Sequence, residues 1–318
     1  MNLLDQLKIH SKIVADSGDF ELIHKFKPVD ATTNPSLIYS ASQDKKYAYL
    51  IDDAIAFAKS KFTNNTSRLN IAVNKLIVDF GLELLKILPG RVSTETDARF
   101  SFDTNGIIAK AHEIIALYSE AGIDQSRILI KIASTWEGIK AAEVLTLEGI
   151  HCNMTLLFSL PQAIVAADAK VQLISPFVGR ILDWYKKNQG FQQELAHEEP
   201  GVLLVNEIYN YYKKYDYKTE IMAASFRNTG EILELSGCDL LTISPELLSE
   251  LEATEGIVER KLLPENANKS FVNKLEIDEK AFRWLMNQDA MATEKLAEGI
   301  RKFAEDLIKL ENIIIKKL

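Results

Sequence analysis

Short β-rich runs alternate with longer amphipathic stretches along nearly the whole chain. That alternation constrains the fold more than any other feature. The candidate strands are KIVADS (12–17), DATTN (30–34), RVSTE (91–95), ILIKIAS (128–134), HCNMTLLF (151–158), VQLISPF (171–177), EIMAASF (220–226) and LLTIS (240–244). Residues 45–62, 70–88, 106–122, 135–149 and 202–216 carry apolar side chains at helical spacing. Strand–helix–strand order builds parallel sheet. Eight such runs match a closed (β/α)₈ barrel, which takes about 250 residues. The 318 residues leave room for an N-terminal helix and a C-terminal helical stretch from about 278 to 318, broken near Asp289. Gly90, Gly122 and Gly149 act as helix stop signals. The two longest polar stretches, 186–201 and 256–274, read as loops and not as linkers, so the expectation is one barrel domain over 1–318.

Composition narrows the function. Lys and Arg number 37 against 45 Asp and Glu, a formal net charge of −8. An acidic chain argues against a nucleic-acid partner, whose footprint is a basic face. Two cysteines, Cys152 and Cys238, exclude a disulfide scaffold, fit a reducing compartment and read as buried small hydrophobes. The first residues lack the apolar core of a signal peptide, and the longest apolar runs fall far short of a membrane span. A soluble, cytoplasmic protein with no membrane partner is expected. No G-x-G-x-x-G or P-loop pattern occurs, and the five histidines show no metal-ligand spacing, so neither metal nor nucleotide cofactor is expected.

The strongest single candidate is Lys131, flanked by apolar residues in ILIKIAS. Lysine is almost never fully buried without a reason. Strand alternation puts Leu129, Lys131 and Ala133 on one face. If that face looks into a barrel, burial disfavours the charged amine, and a neutral amine can attack a carbonyl to form a Schiff base. The alternative is a lysine that snorkels from a strand end to solvent.

The neighbours of Lys131 in the pattern favour chemistry. Asp16 is in phase with Val14, Glu95 with Ser93, Thr32 with Asn34, Asn153 with Thr155, Ser175 with Phe177, and Ser225 with Arg227. Each pair sits near the C-terminal end of a candidate strand, where barrel enzymes hold their active sites. Any one pair could equally be strand-end polarity or a helix N-cap. Arg180 and Arg227, each near a glycine and a following helix, could together cradle a phosphate, or could be loop arginines paired with surface acids.

DATTNPSLI (30–38), VSTETDARFSFD (92–103), IKIASTWEG (130–138), GIHCNMTLLFS (149–159), ISPFVGRILDW (174–184) and MAASFRN (222–228) together resemble the transaldolases, over nearly the whole chain. The resemblance implies a cytoplasmic, usually homodimeric (β/α)₈ barrel that needs no cofactor or metal. It implies transfer of a dihydroxyacetone unit between sugar phosphates: sedoheptulose 7-phosphate or fructose 6-phosphate as donor, glyceraldehyde 3-phosphate or erythrose 4-phosphate as acceptor. It assigns the Schiff base to Lys131, proton transfer at the C4 hydroxyl to Asp16, and a proton shuttle to Glu95 with a water placed by Thr155. Asn34, Asn153 and Ser175 would hold the hydroxyls of the three-carbon unit, while Arg180, Ser225 and Arg227 would bind phosphate. Thr32, Ser93 and Phe177 would line the pocket. Two other readings stay open: a Schiff-base aldolase that releases free dihydroxyacetone, and an inactive barrel serving as a scaffold.

Overall fold

The computed structural model describes residues 1–192, 195–269 and 273–318. All eight candidate strands form: β1 Lys12–Asp16, β2 Asp30–Thr32, β3 Val92–Glu95, β4 Ile128–Ala133, β5 Cys152–Leu157, β6 Leu173–Pro176, β7 Glu220–Ala223 and β8 Leu240–Ile243. Each pairs in parallel with the next, and β8 pairs with β1, closing a (β/α)₈ barrel. Every strand is shorter than the run that announced it. DATTN, for example, leaves the ladder after Thr32, because Asn34 turns its side chain to accept the Leu37 N–H and cap helix Pro35–Ser42.

The five expected helices appear as Ala48–Lys61, Asn65–Ile87, Thr104–Glu120, Trp136–Leu147 and Pro200–Lys214. The second starts earlier than its apolar periodicity, since Asn64 caps it through the Ser67 N–H at 2.8 Å. The C-terminal stretch breaks at Asp289 into Glu279–Gln288 and Ala290–Ile315, with Asp289 capping the second through the Ala292 N–H. The N-terminal helix is Leu3–His10. Helix Val178–Gln189 occupies the start of the stretch read as loop 186–201 and ends at Gly190, whose φ of 64° is the left-handed turn that glycine tolerates. Residues 193–194 and 270–272 of the two expected loops lie outside the described residues. No helix among the described residues is long and apolar enough to cross a membrane.

The barrel interior is layered by the two-residue period of the strands. Val14, Leu129, Leu173, Met222 and Leu240 form one buried apolar layer. One step toward the N-terminal end, Arg91 closes the barrel. Its guanidinium pairs with Asp30 at 2.8 Å and Glu220 at 2.7 Å, and Gln172 donates to Glu220 at 3.0 Å. Toward the C-terminal end, register brings Asp16 beside Thr32 and Glu95 beside Lys131, which lies beside Asn153. The apolar outer faces of the strands pack against the helical shell in one large cluster. Helix Ala290–Ile315 crosses the C-terminal mouth, where Phe303 is buried.

Candidate active site

Lys131 stands in the middle of the barrel wall with only 4% of its surface exposed, so the face read as inward does look inward. Its Nζ donates to the Thr33 carbonyl at 3.2 Å and lies 3.3 Å from Glu95 Oε2, off the line of a hydrogen bond. Phe303 covers it, with the ring centroid 5.8 Å from Nζ. No snorkelling path to bulk water is used.

Glu95 is equally buried. Burial pushes its carboxyl above the usual carboxylate range, against the pull of the Lys131 and Arg180 charges. Apart from Lys131, Glu95 Oε2 has no partner among the described residues. The Thr155 hydroxyl, one strand beyond Lys131, is also buried without a partner among the described residues.

The remaining polar groups are linked into two chains. Thr32 donates to Asp16 Oδ1 at 2.9 Å and contacts the Thr242 hydroxyl at 3.2 Å. Ser175 donates to Asn153 Oδ1 at 2.6 Å, and Asn153 Nδ2 donates to Ser93 at 3.0 Å. These bonds fix which face each side chain offers to a ligand.

A cavity of about 50 Å³ collects Asp16, Thr32, Asn34, Lys131, Ser175, Phe177, Arg180 and Ser225. Asn153 reaches it through Ser175, Ser93 through Asn153 and Glu95 through Lys131, while Thr155 is buried on β5 at the register position of Ala133. Glu95 itself borders a separate crevice with Asn74, Thr96 and Arg99. Three further residues line the cavity that sequence reasoning passed over: Met222, Ala224 and Thr242. Thr242 carried a signal, being in phase with Leu240 in LLTIS, the one candidate strand on which no site residue was named. Phe303 carried none, because its place over Lys131 depends on a helix far away in sequence.

A family model described as transaldolase/fructose-6-phosphate aldolase matches residues 13–314. Relatives called transaldolase share this sequence over almost their full length. The protein of Shewanella amazonensis is 59% identical over 317 residues, covering 100% of this chain and 99% of its own. That of Cellvibrio japonicus is 57% identical over 311 residues, covering 98% and 97%. A probable transaldolase of Drosophila melanogaster is 57% identical over 315 residues, covering 99% and 95%. The chain belongs to the transaldolase/fructose-6-phosphate aldolase family.

In this transaldolase-family barrel the two arginines read as a phosphate pair are held differently. Arg180, in the first turn of helix Val178–Gln189, reaches into the cavity between two rings, 4.8 Å from the Phe177 centroid and 5.5 Å from that of Phe303. Among the described residues no carboxylate forms an ion pair with it. Burial, then the Arg227 charge, lower its pKa, although a guanidinium remains charged. Arg227 instead turns outward and pairs with Asp183 at 2.7 Å, half exposed. Ser225 sits between them with φ of 63°, a strained conformation for a non-glycine residue at a strand top. Among the described residues no group of three or more His, Cys, Asp or Glu is placed to hold a metal ion.

Proposed function

We propose that this chain is an enzyme that transfers a dihydroxyacetone unit from a ketose phosphate to an aldose phosphate through a Schiff base on Lys131. The observation that carries the reading is the sequestered amine: Lys131 Nζ, buried and 3.3 Å from Glu95, in one cavity with Asp16 and Arg180. The donor is sedoheptulose 7-phosphate or fructose 6-phosphate, and the acceptor glyceraldehyde 3-phosphate or erythrose 4-phosphate.

The amine adds to the C2 ketone, and water leaves as the imine forms. Glu95, with a water held at Thr155, supplies and removes the protons. Asp16 takes the C4 hydroxyl proton. The C3–C4 bond breaks, its electrons move into the protonated imine, and the aldehyde product departs. The resulting enamine keeps its three carbons bound until C3 attacks an acceptor aldehyde, after which hydrolysis frees Lys131. Asn34, Asn153 and Ser175 hold the hydroxyls of that unit, and Thr32, Ser93 and Phe177 shape the wall. Arg180 and Ser225 bind the phosphate, joined by Arg227 once it swings from Asp183. A guanidinium held between two aromatic rings, with no ion-pair partner among the described residues, supports this end as the anion site.

The whole chain works as one barrel domain in this reading, as a cytoplasmic homodimer. Borohydride reduction with fructose 6-phosphate should leave a three-carbon adduct on Lys131, found by peptide mass spectrometry. Lys131→Met should lose both the adduct and transfer activity. Adduct on another residue, or activity in that variant, would reject the covalent role. Release of free dihydroxyacetone without acceptor, as fast as transfer with one, would favour the aldolase reading.

A further inference from the structure

The turn that carries Ser225 and Arg227 is fastened from two sides. On one side the Gly179 N–H, in the helix that bears Arg180, donates to the Ser225 carbonyl at 3.0 Å. On the other, Glu231 Oε2 accepts the Arg227 N–H at 2.6 Å. Glu231 is itself held by Asn228, whose Oδ1 accepts the Glu231 N–H at 2.9 Å. The same Asn228 reaches Glu199 Oε1 with its Nδ2 at 3.4 Å. Both glutamates are completely buried, and the one Asn228 side chain bridges the Glu199 carboxyl and the Glu231 backbone. Two carboxylates buried side by side repel strongly unless a proton is shared between them.

We propose that Glu231 and Glu199 share one proton and act as positioning residues, holding the Ser225–Arg227 turn in the shape that receives the substrate's phosphate. The inference rests on the reading of that turn and Arg180 as the anion site. Neither glutamate lines the cavity, so the pair acts through the Arg227 backbone and not by touching substrate. With the proton in place, one carboxyl donates to the other and the turn keeps its anchor. Losing it leaves two buried anions side by side, and the turn gives way.

Burial and the Glu199 contact raise Glu231 to about 8. Other ionisable groups lie on the surrounding elements, and Glu234 of the same helix pairs with Lys261 at 3.5 Å. Arg227 directs its guanidinium to Asp183, Glu250 of helix Pro245–Ala253 accepts the Thr229 hydroxyl, and His197 and Glu198 sit on the turn before Glu199.

The probe is inorganic sulfate, whose charge does not change between pH 7 and 9, measured as a competitive inhibitor against the ketose phosphate. If only the protonated pair holds the site, the wild-type Ki rises roughly tenfold from pH 7 to pH 9. Glu231→Gln keeps an acceptor for Arg227 and a donor for Glu199 but does not titrate there, so its Ki should stay level. Glu199→Gln, which leaves the Arg227 contact alone, should flatten the profile in the same way. Thermal melts confirm that both variants fold. A wild-type Ki that is flat over this range, or an unchanged rise in both folded variants, would overturn the proposal. A third variant separates the underlying reading: if Arg180→Gln leaves sulfate inhibition intact, the anion site lies elsewhere whatever Glu231 does.

Discussion

At the residue scale, the informative atoms are buried polar ones whose partners are incomplete. Glu95 Oε2 and the Thr155 hydroxyl are such a pair. If they act on one water, their effects on turnover are not independent. Glu95→Gln should lower kcat by about 10²–10⁴. Thr155→Val in the Glu95→Gln background should cost little more than Glu95→Gln alone, measured by steady-state kinetics. Full multiplication of the two losses would separate them. Glu231 makes a stability prediction as well. Its folded pKa of about 8 lies above the ordinary 4.5, so the stabilisation is fully present below 4.5 and is lost as pH rises through 8. Gln at 231 carries no such dependence. The melting temperature of Glu231→Gln should therefore gain on that of wild type as pH climbs from 5 to 9.

At the scale of elements, close approach between a helix and a strand end decides the geometry of the site. A Cβ on Gly179 would lie 2.4 Å from the Ser225 carbonyl oxygen and 2.6 Å from Arg227 Cγ. Because the first neighbour is backbone, the helix bearing Arg180 cannot accept it without moving off the turn. Gly179→Ala should raise KM for the phosphorylated donor several-fold. Gly299, on the helix across the mouth, offers a control. Its Cβ would meet the end of the Leu156 side chain, which can rotate away, so Gly299→Ala should perturb KM far less. Equal effects in donor-saturation curves would refute the distinction. The same crossing helix explains why part of the site was hidden in the sequence. Strand tops betray themselves by period-two polarity, as Asp16, Glu95 and Lys131 did. A side chain contributed by a distant helix, such as Phe303, has no local pattern to reveal it.

At the scale of the whole molecule, the two ends of the barrel have different duties. The Arg91–Asp30–Glu220 network seals the N-terminal end, on the far side of an apolar layer from Lys131. Breaking a part-buried ion pair strands its partners, Asp30 above all, so Arg91→Met should cost about 2 kcal/mol of stability. It should leave kcat within about twofold, since conservation of shape at the other end is untouched. Urea denaturation with parallel activity assays checks both parts. A large fall in kcat in the folded variant would contradict the separation.

The sequence by itself determined the number and order of strands, the face each turns inward, and the identity of most candidate groups, because strand period and helix period are local properties of the chain. Tertiary structure alone decided that Arg180 enters the cavity while Arg227 pairs with Asp183, that Phe303 covers Lys131, and that Glu199 meets Glu231. Those arrangements depend on which helix end lands beside which strand top, and packing across the closed barrel fixes that, not any pattern within a single segment.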